Sequence, residues 1–415
     1  MLDKRFSKFH KLFFCLLLCA LIAGAAFAAI SDYDFLDLCT KGSLEQILVA
    51  INDGANVNAK DNRNKGFTPL IYALASNPDP EVITALVNAG ANVNARTEEG
   101  YSDASGITPL MAAVGSRVKL EVIKTLLDAG AEVNARNRAR WTPLLFAAGM
   151  ENSNPEMITL LINAGADVDA HNIEGFTPLI IAAERCSNPE VITVLLNSGA
   201  NAAKKQKVIQ DRGDEEIRLA IDYARENAYL NNTEAHRKLE EETIKLQLVE
   251  EKVIEFIELC KTGSLEQIKD AIENGVNVNA RIEEERTPLM IAAWNNSDPG
   301  VIRTLISADA DLHMKDEYGY TPLMFAANYN SNPEVSEILV KAGADINADV
   351  GGLTPLMIAA LANANPKVVE TLLECGANPK AKNNRDKDNM AIDYAKKNVN
   401  LIDTDVFKKL EEISM

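Results

Sequence analysis

The sequence predicts an all-α solenoid of stacked helix pairs, arranged as two tandem arrays, and three recurrences carry that reading. Thr-Pro-Leu occurs at 68, 108, 142, 177, 287, 321 and 354, at steps of 40, 34 and 35 in the first group and 34 and 33 in the second. Asp-Pro or Asn-Pro follows in all but one case, at Asp79, Asn154, Asn188, Asp298, Asn332 and Asn365. Glycines then punctuate the pattern at 90, 130, 165, 199, 275, 343 and 376. A fixed period of this size marks one unit repeated, because a lone helix pair cannot bury its apolar face.

Each element follows from local chemistry. Thr accepts a backbone N–H as helix cap, and Pro at the first helical position loses no hydrogen bond, since that N–H has no helical partner. In the first helix, Ala182 and Ala183 lie three and four residues after Leu179 and make one thin face on which neighbouring helices can close. The second helix begins at the Asx-Pro pair, and only the unit around Ser116 to Glu121 lacks it. Its apolar pairs, such as Val82, Ile83, Leu86 and Val87, bury one side. Glycine ends it where a left-handed residue is wanted.

The pattern TPLxxAA followed by PEVIxxLLxAGAxVNA resembles the ankyrin repeat, over about Asp34 to Ile413. The resemblance implies antiparallel helix pairs, outward β-hairpin loops formed by the Gly-Ala-Asn/Asp-Val-Asn-Ala stretch, and binding through hairpin tips and the concave side of the first helices. Two departures stand out. The family's His after Thr-Pro-Leu is Ile71, Met111, Leu145, Ile180, Met290, Met324 or Met357 here, so apolar packing has to replace its hydrogen bonding. One extra residue also separates the helices, with Asn-Pro-Glu in place of Gly-His-Leu-Glu.

Two arrays follow from duplicated ends. FLDLCTKGSLEQI and FIELCKTGSLEQI open them at Phe35 and Phe256, and LAIDYARENA (219 to 228) and MAIDYAKKNV (390 to 399) close them. The expected division is 34–241 with about six repeats, a helical linker at 242–253, and 254–413 with about five repeats, the terminal units being degenerate because a solenoid end has no neighbour to cover it. Residues 233 to 260 contain no Gly or Pro and read as one long helix or two abutting ones. Their apolar residues hold no heptad, though self-association there stays open.

Residues 1–28 read as a signal peptide: Lys4, Arg5, Lys8 and Lys11 precede the apolar run from Leu12 to Leu21, and Ala26-Phe27-Ala28 is a small-x-small cleavage site. The expectation is an exported protein, periplasmic or secreted, from a bacterium-like cell; the alternative is an uncleaved N-terminal membrane anchor. The formal charge of −18 argues against nucleic acid and anionic membrane surfaces as partners. Cys39, Cys186, Cys260 and Cys375 show no C-x-x-C spacing, so no metal or cofactor is expected. Cys39 and Cys260 occupy equivalent places and read as small buried thiols.

No catalytic constellation appears, and Glu98-Glu99 and Glu283-Glu284-Glu285 read as solvated loops rather than paired acids or calcium ligands. The sequence therefore predicts a non-catalytic scaffold for an unidentified protein partner, against the alternatives of a self-associating envelope protein or an enzyme with a site assembled from distant loops. The tips vary most between units, and four of the seven residues before Thr-Pro are aromatic. Partner-binding candidates are Phe67, Tyr101, Trp141, Phe176, Arg286 and Tyr320, which supply contact area or pack on a neighbouring hairpin. Arg136, Arg138 and Arg140 add a basic tip that either docks carboxylates or offsets nearby acids. The long loops Arg96 to Gly106 and Lys204 to Glu216 are further candidates.

Overall fold

A computed structural model of the chain describes residues 30–98, 105–209 and 215–415. The signal-peptide reading of residues 1–28 lies outside the described residues. Among those described are 21 α-helices, one short 3-10 turn and a two-stranded ribbon. No helix among them is long and apolar enough to cross a membrane. Two compact units divide between Ile244 and Lys245. The first holds helix pairs from Asp32–Lys41 with Leu44–Asn52 through Pro178–Arg185 with Pro189–Asn197, and ends with Ala220–Glu226. The second runs from Leu265–Glu273 to Asp405–Ser414.

One continuous helix, Glu234–Thr262, covers the boundary. Its early turns bury Ala235, Leu239 and Thr243, its late turns bury Phe256, Ile257 and Cys260, and no residue from 244 to 255 is buried. In the second unit the core is contiguous from Phe256 to Leu410.

The helix starts form as their sequences dictate. Each of the seven Thr residues before Pro accepts the N–H three residues on, at 3.2 Å for Thr177 and Ile180 and 3.3 Å for Thr108 and Met111. The Asx residues accept from two residues on, as Asp79 does from Glu81 at 2.9 Å. Lys119 begins its helix with no side-chain cap. The residues standing where the family has His are buried to within 2% of complete, so apolar packing does replace the missing bond. After the second helices glycine takes positive φ, from 79° at Gly275 to 108° at Gly343, and Asp309 fills the same place at 62°.

An asparagine ladder ties successive repeats together inside the second unit. Asn330 Nδ2 donates to the carbonyls of Ala293 at 3.0 Å and Asn296 at 2.9 Å, and its Oδ1 accepts from Asn332 N–H at 2.9 Å. Asn363 repeats this on Ala327 and Asn330, and Asn398 bonds the Asn363 carbonyl at 2.9 Å. These bonds satisfy carbonyls at first-helix ends that have no helical partner. Asn227 does the same for Ala183 and Cys186 in the first unit.

The outward hairpins are short. Single backbone bonds close them, from Asn137 to Trp141 at 3.1 Å, Asn172 to Phe176 at 3.2 Å and Asp316 to Tyr320 at 3.0 Å. Neighbouring tips are stitched by further bonds, from Glu98 N–H to Lys65 O at 2.7 Å, Ile173 to Ala139 at 3.0 Å and Glu317 to Glu284 at 3.0 Å. Among the described residues, extended pairing develops only in the segment that begins at Lys204, where Gln206–Ile209 runs antiparallel to Glu215–Arg218, two residues past the expected loop. That segment is a ribbon rather than a plain loop, and the Gln206 amide fixes its start, Nε2 donating to Glu174 O and Oε1 accepting from the Tyr223 hydroxyl.

Candidate functional site

Several tips are pre-organised by one side chain. Asp316 Oδ1 accepts the N–H groups of Tyr318 at 3.0 Å and Tyr320 at 2.7 Å, and Asn172 does the same for Glu174 and Phe176. Thr97 plays that part for Gly106 and Ile107. A backbone held in this way loses little entropy when it binds.

The aromatic candidates are half-buried and pack mainly within their own repeats. Phe67 lies against Tyr72 at 5.4 Å between centroids, Trp141 against Phe146 at 5.2 Å and Tyr320 against Phe325 at 5.8 Å. Of these ring pairs Phe176 with Tyr223, at 5.9 Å, reaches the next repeat, and Tyr320 also packs on the cluster of Met324, Ala348 and Ile358. Tyr101 lies outside the described residues. Arg136, Arg138 and Arg140 are exposed.

Arg286 differs from the other residues before Thr-Pro. Its guanidinium lies 5.0 Å from the Trp294 ring and 5.5 Å from Phe325, beside Glu284 and 3.8 Å from the buried Asp316 carboxylate. The aromatic group beneath it joins two repeats. Trp294 stacks on Tyr329 at 4.8 Å and on Phe325 at 5.6 Å, and Tyr329 stays 51% exposed. Asn328 holds the place of Trp294 in the following repeat, and Leu361, 39% exposed, holds it in the one after. Trp294 and Tyr329 are not among the residues predicted from the positions before Thr-Pro; their signal is an aromatic shortly after the alanine pair, in AAWN and AANYN.

The glutamate run at 283–285 engages arginines, Glu285 holding Arg281 at 2.7 Å. No group of metal-ligating side chains is present among the described residues. Burial pushes the thiols of Cys39 and Cys260 up to about 12, which suits packing and not nucleophilic chemistry. The four described cysteines are free.

A family model described as ankyrin repeats in three copies matches residues 36–137, 110–206 and 289–383, and a second, for ankyrin repeats in many copies, matches 256–306. No curated protein matches the sequence. Ankyrin repeats in general mediate protein–protein interaction and are typically non-catalytic. Capped helix pairs at a fixed period, short stitched tips and these matched segments lead to one statement: the chain belongs to the ankyrin-repeat family.

Proposed function

We propose that this protein is an exported, non-catalytic scaffold that binds a partner protein on the tips and first-helix face of its repeats, with the aromatic group of the second unit as its anchor. The observation that carries the reading is the Trp294–Tyr329 stack, which two repeats build and leave half open to solvent. Large rings supply contact area with few rotatable bonds, and interface energy concentrates in such residues. Arg286 adds a cation already oriented by Glu284 and Asp316. Export rests on the basic, apolar and small-x-small order of residues 1–28.

The test is affinity capture with residues 29–415 as bait on envelope and secreted fractions, with Trp294→Ala/Tyr329→Ala as the matched control. A protein retained by the unaltered bait and reduced at least tenfold by the double substitution is the expected result. Retention unchanged by that substitution removes the aromatic group from the binding face.

A further inference from the structure

A basic ridge crosses three successive tips of the first unit on a chain whose formal charge is −18. Backbone and side-chain bonds set its register: Arg138 N–H donates to Ser105 O at 3.0 Å, Ile173 N–H to Ala139 O at 3.0 Å, and Gln206 Nε2 to Glu174 O at 3.2 Å. Stitching brings Arg136 and Arg140 from one tip, His171 from the next and Lys204 from the third to a common edge. Burial and then the charges of Arg140, Lys204 and Arg136 hold the His171 imidazole below its ordinary pKa, with Asp167 acting the other way.

Arg140 also stands where other tips use glycine. Gly106, Gly175 and Gly319 take φ of 82°, 84° and 90° there, and Arg140 takes 62°. A long side chain in the left-handed region carries a backbone cost that glycine avoids, so the cation sits at the tip against local preference.

We propose that this ridge docks an acidic segment of a partner protein, a run of Asp and Glu side chains lying across the three tips. The inference rests on the scaffold reading but uses a different surface from the aromatic group of the second unit. Glu132 beside Arg96, together with Asp167, confines the favourable field to a short stretch. A short acidic segment fits that limit, whereas a long polyanion would run into the acidic remainder of the chain.

A carboxylate beside His171 opposes the arginine and lysine charges and favours the imidazolium. Binding therefore takes up a proton, and affinity rises as pH falls, by at most about tenfold per pH unit for one histidine.

The full chain is titrated into a fluorescent Asp/Glu peptide of about twelve residues, with anisotropy read at about 50 and about 300 mM salt and at about pH 6 and pH 8. An oligonucleotide of similar length is the comparison probe. Peptide binding that weakens with salt and with rising pH is expected. Arg136→Gln/Arg140→Gly lowers affinity about tenfold or more, and it keeps the fold because glycine suits the Arg140 backbone. His171→Gln retains binding and flattens the pH response. No peptide binding at low salt, tighter binding of the oligonucleotide, or indifference to the arginine substitutions overturns the proposal. Trp294→Ala/Tyr329→Ala leaves peptide binding intact; loss there places the segment on the second unit and also overturns it. Failure of the capture experiment alone leaves the peptide result standing, so the two readings fail separately.

Discussion

At the scale of single residues, Asn330 does what no apolar side chain can. It is 4% exposed, donates to two carbonyls of the preceding repeat and accepts one N–H. Asn330→Ala strands these groups away from water and is expected to destabilise by about 2–4 kcal/mol, read as a lower urea midpoint. A change below about 0.5 kcal/mol would mean that water reaches the ladder. A second network shows how little identity matters when geometry is kept. Tyr72 donates to Asp61 at 2.8 Å and accepts from Asn64, whereas Tyr394 donates to Asp386 at 3.0 Å and accepts from Asn383. Acid and amide have exchanged places around the same hydroxyl, and the donated bond holds each carboxyl below its ordinary pKa.

For the elements, the informative case is the helix that breaks its own rule. Leu120–Asp128 starts at Lys119, whose φ of −60° and ψ of 147° already have capping geometry but whose side chain accepts nothing. Lys119→Asp supplies the missing acceptor and a favourable charge at the helix start, and is expected to stabilise by about 1 kcal/mol. The measurement is again the denaturant midpoint; a destabilised variant would mean that the turn at Arg117, with φ of 55°, prevents capping. The other second helices within the full repeats were legible because Asx-Pro announces both cap and first residue. Helix Glu234–Thr262 was legible only as an unbroken stretch, since one helix and two abutting ones have the same composition.

For the whole molecule, two compact units each enclose their own apolar residues. Stability in a solenoid is a sum of repeat and neighbour terms, so distant repeats unfold with little knowledge of one another. Denaturation is expected in two steps: Asn330→Ala lowers the midpoint of one, and Lys119→Asp raises the midpoint of the other. Circular dichroism with tryptophan fluorescence distinguishes them, because Trp141 lies in the first unit and Trp294 in the second. One transition moved by both substitutions would show that the units unfold together.

Sequence by itself determined the repeat period, the helix starts and stops, the buried faces and the duplicated array ends, because each depends on residues within a few positions of one another. Thr177 caps Ile180 whatever surrounds it. Tertiary structure decided the rest. The Asn ladder, the Trp294–Tyr329–Phe325 group and the ridge of Arg140, His171 and Lys204 join residues about one repeat apart, and only the stacking register brings them together. Even so, the Asn-x-Asx-Pro spacing at Asn296, Asn330 and Asn363 was a visible trace of the ladder. The ridge left a weaker one: Arg140 stands two residues before Thr-Pro, where five of the seven tips carry glycine. Contacts between repeats depend on how far each unit rotates and slides on the last, and that is a property of the packed core rather than of any one segment.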